Sequence, residues 1–264
     1  MQIKVLGCSG GVGGSMRTTS LLVDDDVLID AGTGVGDLSL DALLKIDHIF
    51  VTHAHLDHIA FIPLLVDTAM GLRPQPVILH APQAVIDALK QHIFNWHIWP
   101  DFNQIPNRHK PFLVYQPLSV GDKITINDKT ITALPANHVV PAVGYQINSG
   151  AQSLVFTGDT AGGSNFWQAV NTINNLSYLI IETAFSNAEA VLALRSKHLC
   201  PNTLAYELLH LNINPKELNP EQSQPKVFIT HLKPGEDVTI MREIAANPAT
   251  QHCKALQNQQ VFVL

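Results

Sequence analysis

The sequence predicts an α/β sandwich, in which helices cover β-sheets, from two observations. Short apolar runs recur along the whole chain, and each is bounded by Gly, Pro, Asn or Asp, as strands commonly are. Tight turns such as "DDD" and "NDK" join the early runs, whereas the later runs alternate with helical stretches. This mixture is typical of sheets covered by helices.

The individual elements follow from these runs. The predicted strands are 3–6, 20–23, 27–29, 49–51, 77–79, 124–126, 131–134, 154–156, 179–181, 227–229 and 261–264. The predicted helices are 63–71, 82–92, 164–174, 200–211 and 237–246. The segment 200–211 is the best example, with Pro201 in its first turn and an apolar face at Leu204, Leu208 and Leu211.

The segment 93–117 differs from its surroundings. It is rich in Pro, Asn and aromatic residues and shows little periodicity, so we predict a long structured loop, which in a compact domain is often functional. The rest of the chain shows no low-complexity segment and no short repeat. We therefore predict one domain spanning residues 1–264.

Composition favours a cytoplasmic protein. The chain of 264 residues has a formal net charge of −6, which gives no general attraction for nucleic acid. Its three cysteines are widely spaced, as is usual in a reducing compartment. The apolar run near the start is too short for a signal peptide, and no run approaches the roughly 18 apolar residues that suggest a membrane span.

A glycine-rich stretch, "GCSGGVGGS", follows the first predicted strand. It lacks the spacing of GxGxxG, and no GK[ST] follows it, so a phosphate-binding loop is disfavoured. We expect a turn that needs positive φ or a close approach of backbones.

The segment "HAHLDH" at 53–58 is the most informative part of the sequence. It directly follows an apolar strand and contains His53, His55, Asp57 and His58, whose side chains suit zinc and similar ions. His53 and His55 can lie on one side of extended backbone because they are two residues apart. Adjacent residues converge poorly on one point, so the pattern favours two neighbouring ions.

Other predicted strands end in the same way. His138, Asp159 and His231 each follow an apolar run, and so does Asp30 in "VLIDAG". One histidine after a strand is usually an ordinary surface residue, but the repetition beside the 53–58 motif predicts a metal site.

This pattern resembles the metallo-β-lactamase superfamily, because the 53–58 motif is followed by His, Asp and His in the expected order. The resemblance implies a four-layer αββα sandwich with a dinuclear site along one edge of its two sheets. It also implies that Asp30 orients a ligand histidine. The implied ligands are His53, His55 and His138 for one ion, Asp57, His58 and His231 for the other, and Asp159 as the bridge.

Two divalent cations are the implied cofactor, with zinc favoured and manganese or iron as alternatives. They carry more positive charge than Asp57 and Asp159 carry negative charge, so the site would attract a phosphodiester anion. Such ions lower the pKa of water to about 7 and stabilise an in-line displacement. Hydrolysis of a phosphoester follows as a class, although the fold does not choose the substrate.

Two further motifs resemble the phosphodiesterase branch of this superfamily. "IIETAF" contains Glu182 and "SKHLCP" contains His198. The resemblance implies that His198 contacts phosphate or protonates the leaving oxygen, that Glu182 supports it, and that Asp57 belongs with them to the catalytic group. The alternatives are that Glu182 is an ordinary carboxylate at a buried sheet edge and that His198 is a surface histidine at the start of a helix.

Within that branch, the motifs are most similar to bacterial class II-type 3′,5′-cyclic-nucleotide phosphodiesterases. Phe61 departs from their pattern, which has glycine there, and "NHVVPAVGY" is similar to a motif of the tRNA-processing enzymes. The resemblance therefore implies the reaction class more firmly than the substrate.

A small cyclic nucleotide is nevertheless the favoured substrate, because the acidic chain lacks a long insertion rich in Gly and Lys that could grip tRNA. Trp96, Trp99 and Phe102 could stack on its base, or could pack into a core. A homodimer is implied by resemblance. The alternatives are an RNA 3′-end nuclease, a hydrolase of another substrate such as a lactone or thioester, and a non-enzymatic metal-binding module.

Overall fold

The computed structural model describes residues 1–212 and 224–264, which form two β-sheets and flanking helices. The strands are β1 (Gln2–Gly7), β2 (Ser20–Val23), β3 (Val27–Ile29), β4 (His48–Phe50), β5 (Val77–Pro82), β6 (Leu113–Leu118), β7 (Lys123–Ile126), β8 (Lys129–Pro135), β9 (Val143–Asn148), β10 (Ser153–Phe156), β11 (Leu176–Glu182), β12 (Lys226–Thr230), β13 (Lys254–Ala255) and β14 (Val261–Val263). The α-helices are α1 (Leu40–Leu43), α2 (Leu56–Ile59), α3 (Ile62–Ala69), α4 (Gln83–His92), α5 (Ser164–Val170), α6 (Ala190–Ser196), α7 (Pro201–Leu208) and α8 (Asp237–Ala246). Short 3-10 helices lie at Thr33–Asp37 and Asn187–Glu189.

Both sheets combine antiparallel and parallel pairing. The first sheet has the order β14-β1-β2-β3-β4-β5-β6 and is parallel from β3 to β6. The second sheet has the order β13-β12-β11-β10-β9-β8-β7 and is parallel from β10 to β13. Parallel neighbours need crossover connections, and the helices supply them.

The apolar residues separate into three buried clusters that define four layers. In β10, Leu154 and Phe156 belong to the cluster between the sheets, whereas Val155 packs with α5, α7 and α8 on the outside. Phe50 in β4 likewise faces the other sheet, and its neighbour Ile49 packs against α3 and α4. Strands buried on both faces have continuous apolar runs. The predicted αββα sandwich is therefore confirmed, whereas the single domain over 1–264 stays a prediction.

Some element predictions were wrong. β6 overlaps the end of the predicted loop 93–117, so only 93–112 of that loop lacks helix and strand. Its Pro117 is tolerated because β6 is an edge strand. β9 was missed because Pro141 and Gly144 interrupt the apolar pattern, and α6 was missed because its apolar side chains do not all face the core. Helices α5 and α7 end three to four residues earlier than predicted.

The helices are short. Among the described residues, the longest are α4 and α8, with 10 residues each, and no helix is long and apolar enough to cross a bilayer.

Candidate metal centre

The predicted ligands lie just beyond the ends of strands from both sheets. His53 and His55 follow β4 in the first sheet, while His138, Asp159 and His231 follow β8, β10 and β12 in the second. The structure brings their donor atoms together, although up to 178 residues separate them in sequence, counted from His53 to His231. The predicted convergence of strand ends is thus present in the geometry, whereas each ligand role stays a prediction.

The first ligand set is compact. His53 Nε2 lies 3.1 Å from His55 Nδ1 and 3.5 Å from Asp159 Oδ2. His138 Nε2 lies 3.3 Å from His55 Nδ1. Donor atoms on a tetrahedron around zinc, each about 2.0–2.1 Å from the ion, are about 3.3 Å apart. These spacings fit a single zinc-sized ion held by four side chains.

The second ligand set shares Asp159 with the first. Asp159 Oδ1 lies 3.4 Å from His58 Nε2 and 3.2 Å from His231 Nδ1, while Oδ2 faces His53. Asp57 Oδ2 lies 3.9 Å from His58 Nε2 and 3.7 Å from His231 Nε2. The two oxygens of Asp159 therefore face different sets, as a bridging carboxylate requires.

Two buried nitrogen atoms support an ion at the second set. His58 Nε2 and His231 Nδ1 are both buried and have no hydrogen-bond partner. An unsatisfied buried polar atom costs about 1–3 kcal/mol, so native proteins usually provide a partner for it. A cation facing these nitrogens would be that partner, and the residues present fit the predicted metal.

Asp30 holds two of the predicted ligands. It accepts hydrogen bonds from His58 Nδ1 at 2.7 Å and from the Thr52 hydroxyl at 2.8 Å. Since the Thr52 hydroxyl donates to Asp30, it can accept from His53 Nδ1, 3.0 Å away. Both histidines then turn their Nε2 lone pairs toward the ligand sets. Thr52 was missed in the sequence, where only its place directly before the 53–58 motif could have marked it.

The charge on His58 couples ion binding to pH. Burial lowers the pKa of His58, but the carboxylates of Asp159 and Asp30 raise it more, and it lies well above its ordinary value. Burial raises the pKa of Asp159, but positive charge on His231 and His58 lowers it more and holds it well below its usual range. An ion must displace the His58 proton, so its affinity should rise with pH.

We predict that Asp30→Asn weakens metal binding without unfolding the protein. The substitution keeps the shape of the side chain and an acceptor oxygen but removes the negative charge that makes His58 a stronger ligand. Loss of such a supporting group typically costs about 10–100-fold in metal affinity. Competition with a chromogenic chelator measures the loss, and an unchanged affinity would show that Asp30 serves only the fold.

Glu182 and His198 form a pair beside the ligand sets. Glu182 Oε1 lies 2.7 Å from His198 Nδ1 and also accepts from the Thr160 backbone N–H at 2.9 Å. The His198 ring stacks on His231, with centroids 5.2 Å apart, and lies 5.0 Å from the ring of His138. Burial lowers the pKa of His198, but Glu182 raises it more, so it lies above its ordinary value. Glu182 thus occupies His198 Nδ1 and leaves Nε2 free of that contact, while the role of His198 stays a prediction.

Backbone conformation around the site is unusual. Asp30, Lys197 and His231 have φ of +57°, +53° and +62°, a region that residues other than glycine rarely adopt. Such conformations persist where the surrounding structure enforces them, often at functional sites. The backbone O of Lys197 lies 3.2 Å from His138 Nδ1, so this backbone also orients a predicted ligand.

The glycine-rich opening makes a close backbone approach of the kind expected, and it does so at His231. A Cβ added at Gly10 would lie 2.6 Å from the backbone O of His231 and 2.8 Å from its Cδ2. Beside it, Lys233 Nζ donates to the backbone O of Gly10 at 2.8 Å and lies 3.2 Å from His231 Nε2. Lys233 was not identified from the sequence, and no motif there marks it.

Phe61 is accommodated by a glycine elsewhere in the chain. A Cβ added at Gly36 would lie 2.5 Å from Phe61 Cε1, so the ring occupies the space that a side chain there would need. This departure from the family pattern therefore fits the local packing.

The prediction of an aromatic base-stacking loop is corrected by the structure. Phe102 is 1% exposed and packs edge-on against Phe94 in the cluster beneath α4, so it cannot stack on a ligand. Trp99 packs against the same cluster and its Nε1 is buried. Trp96 is 58% exposed, and its substrate role stays a prediction. Burial within the loop depends on tertiary packing, which composition does not reveal.

Comparison with known proteins gives one family and two kinds of relative. A family model described as "Beta-lactamase superfamily domain" matches residues 26–247. A probable 3′,5′-cyclic-nucleotide phosphodiesterase of Yersinia pestis is 27% identical over 217 residues, which are 74% of this chain and 60% of that protein. A ribonuclease Z of Haloarcula marismortui is 30% identical over 156 residues, covering 56% of this chain and 47% of that protein.

A solved structure has the same fold along the whole chain. Unliganded yeast PDE1 superposes with a TM-score of 0.79 at 19% identity, covering 100% of this chain and 99% of that one. The chain spans about half to three-fifths of the length of the two sequence relatives. The ribonuclease among them counts weakly against the expectation that nucleic acid is an unlikely partner.

Proposed function

The chain belongs to the β-lactamase superfamily, and on that premise we propose that it is a metal-dependent phosphodiesterase. The proposed reaction opens 3′,5′-cyclic nucleotides to 5′-nucleoside monophosphates. The observation that carries the proposal is the position of Asp159 between two histidine-rich ligand sets, with the His198–Glu182 pair at their rim. The phosphodiesterase relative supports the same reaction.

The proposed cofactor is a pair of divalent cations, most simply zinc. One ion would be held by His53, His55 and His138. The other ion would be held by Asp57, His58 and His231, and Asp159 would contact both ions. Bound there, the ions would supply positive charge for the phosphoryl oxygens and lower the pKa of the attacking water. The side chains of this protein would carry out the other steps of the reaction, namely the proton transfers and the positioning of the groups that make them.

The side chains have distinct roles in this reaction. Water attacks phosphorus in line with the P–O3′ bond, and Asp57, the most exposed of the site carboxylates at 26%, accepts its proton. As the P–O3′ bond breaks, His198 Nε2 donates a proton to O3′. Glu182 holds the His198 ring through Nδ1 and favours its protonated form. The product carries a 5′-phosphate and a free 3′-hydroxyl.

A second candidate is cleavage of RNA near its 3′ end. The ribonuclease Z relative and the HxxPxxGY pattern at 138–145 favour it, and the acidic net charge of −6 counts against it. Binding of tRNA would rest on phosphate contacts and would weaken steeply as salt rises.

One experiment separates the two candidates. Purified, zinc-loaded protein is given cyclic AMP, cyclic GMP and a precursor tRNA, each with and without a chelator. We expect chelator-sensitive conversion of a cyclic nucleotide to its 5′-monophosphate. Turnover of neither cyclic nucleotide would refute the proposal, and salt-sensitive cleavage of the precursor would support the second candidate. Sedimentation of the same sample tests the proposed homodimer.

A further inference from the structure

An open cleft of about 900 Å³ lies beside the metal centre. His138 contributes to its wall, so the cleft adjoins the first ligand set. Pockets of about 300–1,000 Å³ are the usual size for small ligands. The cleft is therefore large enough for the organic part of a substrate whose phosphate lies at the metals.

The lining of the cleft combines apolar walls with a few polar groups. Proline and valine side chains form much of it, including Pro82 and Val140, whereas Gln83 and Asn137 provide amides. Among the described residues that line the cleft, none is Phe, Tyr or Trp, and the only aromatic ring is the imidazole of His138. A base would therefore lie between aliphatic surfaces and meet hydrogen-bonding groups, unlike the stacking predicted from the loop at 93–117.

Lys197 stands where the cleft meets the metal centre. It lines the cleft, directly precedes His198, and its Nζ donates to the backbone O of His138 at 3.0 Å. An ammonium group has three N–H donors, and this bond uses one. Lys197 is only partly buried, so its remaining donors can reach a ligand in the cleft.

The backbone and the side chain of Lys197 contact different atoms of His138. Its backbone O orients His138 through Nδ1, and any residue that accepts φ of +53° can do this. The ammonium group contributes nothing to that contact. The left-handed backbone turns the chain between α6 and His198 and so fixes where the ammonium lies.

We infer that Lys197 positions the substrate phosphate and that the cleft it lines receives the nucleoside attached to that phosphate. This inference rests on the proposed function and assigns substrate-binding residues to it. The ammonium binds a phosphoryl oxygen on the side of the centre that opens into the cleft. The base lies farther out, between the proline and valine walls.

The test of Lys197 uses direct binding, so it does not depend on turnover. Lys197→Gly removes the ammonium, and glycine accepts the left-handed backbone that orients His138. Lys197→Arg keeps the charge, and Lys110→Met removes the same charge from an exposed loop position as a control. Calorimetry measures the affinity of zinc-loaded protein for inorganic phosphate, and elemental analysis measures zinc content.

We expect Lys197→Gly to bind phosphate about 10–100-fold more weakly, the range of a hydrogen bond to a charged group, with full zinc content. Lys197→Arg should stay within about threefold of the parent protein and Lys110→Met should match it. An unchanged phosphate affinity of Lys197→Gly would overturn the inference. So would zinc loss in that variant, or a parent protein that binds no phosphate.

A second variant tests the cleft itself. Ser119 is exposed and lines the cleft at the end of β6, so Ser119→Trp adds a large side chain without disturbing the metal ligands. We expect the affinity for 5′-AMP to change by about tenfold or more, in either direction, while the affinity for inorganic phosphate stays the same. An equal 5′-AMP affinity would place the nucleoside elsewhere and overturn this part of the inference.

Failure of the inference differs from failure of the proposed function. If Lys197→Gly lowers phosphate affinity but the parent protein hydrolyses no cyclic nucleotide, the reaction is wrong and the inference about Lys197 stands. If the parent protein and Lys197→Gly hydrolyse cyclic nucleotides with the same KM and kcat, the reaction is supported and the role of Lys197 is refuted.

Discussion

Asp159→Ala is expected to lose metal and activity together. The Asp159 oxygens face both ligand sets, at 3.5 Å from His53, 3.4 Å from His58 and 3.2 Å from His231. Without this carboxylate, five neutral histidines and Asp57 would remain to hold two cations, and both ions would lose a ligand. Ions contribute several kcal/mol to the transition state, so we expect turnover to fall about 10³-fold or more.

Elemental analysis and initial rates measure this loss on the same preparation. Asp67→Ala, at an exposed position on α3, is the matched control and should retain metal and rate. His53→Ala should behave like Asp159→Ala, because His53 belongs to the first set. Full metal content in a folded Asp159→Ala protein would contradict the bridging role, as would a parent protein that binds fewer than two ions.

His198→Ala is expected to keep its metal and lose most of its rate. The His198 ring packs on His231 and His138, and one of its nitrogens lies within 4.8 Å of ligand atoms of Asp159 and His231, but both predicted ligand sets are complete without it. General acid catalysis contributes about 10²–10⁴-fold, so kcat should fall by that range while metal content is unchanged. A His198→Ala protein that turns over at the parent rate would exclude the acid role.

The pH profile separates proton donation from a structural role. As the proposed acid, His198 must be protonated, so activity should be present below the pKa of His198 and should be lost as pH rises through it. Glu182 raises this pKa, and Glu182→Gln should therefore move the alkaline loss of kcat to lower pH. Bound cations lower the pKa of His198 in both proteins, so the direction of the difference holds. If kcat of Glu182→Gln falls at the same alkaline pH as kcat of the parent protein, His198 is not the general acid.

The features that could be predicted from the sequence are those that depend on residues adjacent along the chain, such as buried strands and the polar residues that follow them. Ile49, Phe50 and Val51 alternate between two buried faces, so their apolar run was visible without the fold. The positions of His138 and Asp159 could be predicted for the same reason, since each follows such a run. β6 was missed because an edge strand needs less apolar sequence and tolerates Pro117.

Features that depend on contacts across the fold could not be predicted in this way. Lys197 matters because it meets His138, 59 residues away, and Gly10 because it meets His231, 221 residues away by their numbers. Phe102 is an aromatic residue in a loop, a type that often stacks on ligands. Only its packing against Phe94 shows that it belongs to the core. Sequence composition carries no information about such partners.

Each ligand set draws residues from both sheets. His53 and His55 follow a strand of the first sheet, whereas His138 and Asp159 follow strands of the second, so neither half of the chain carries a full set. Tight binding of the proposed ions would therefore require that the two halves have docked. If two ions bind as proposed, the second would require His231, which is synthesised last of the ligands, and bound metal would stabilise the two halves against separation.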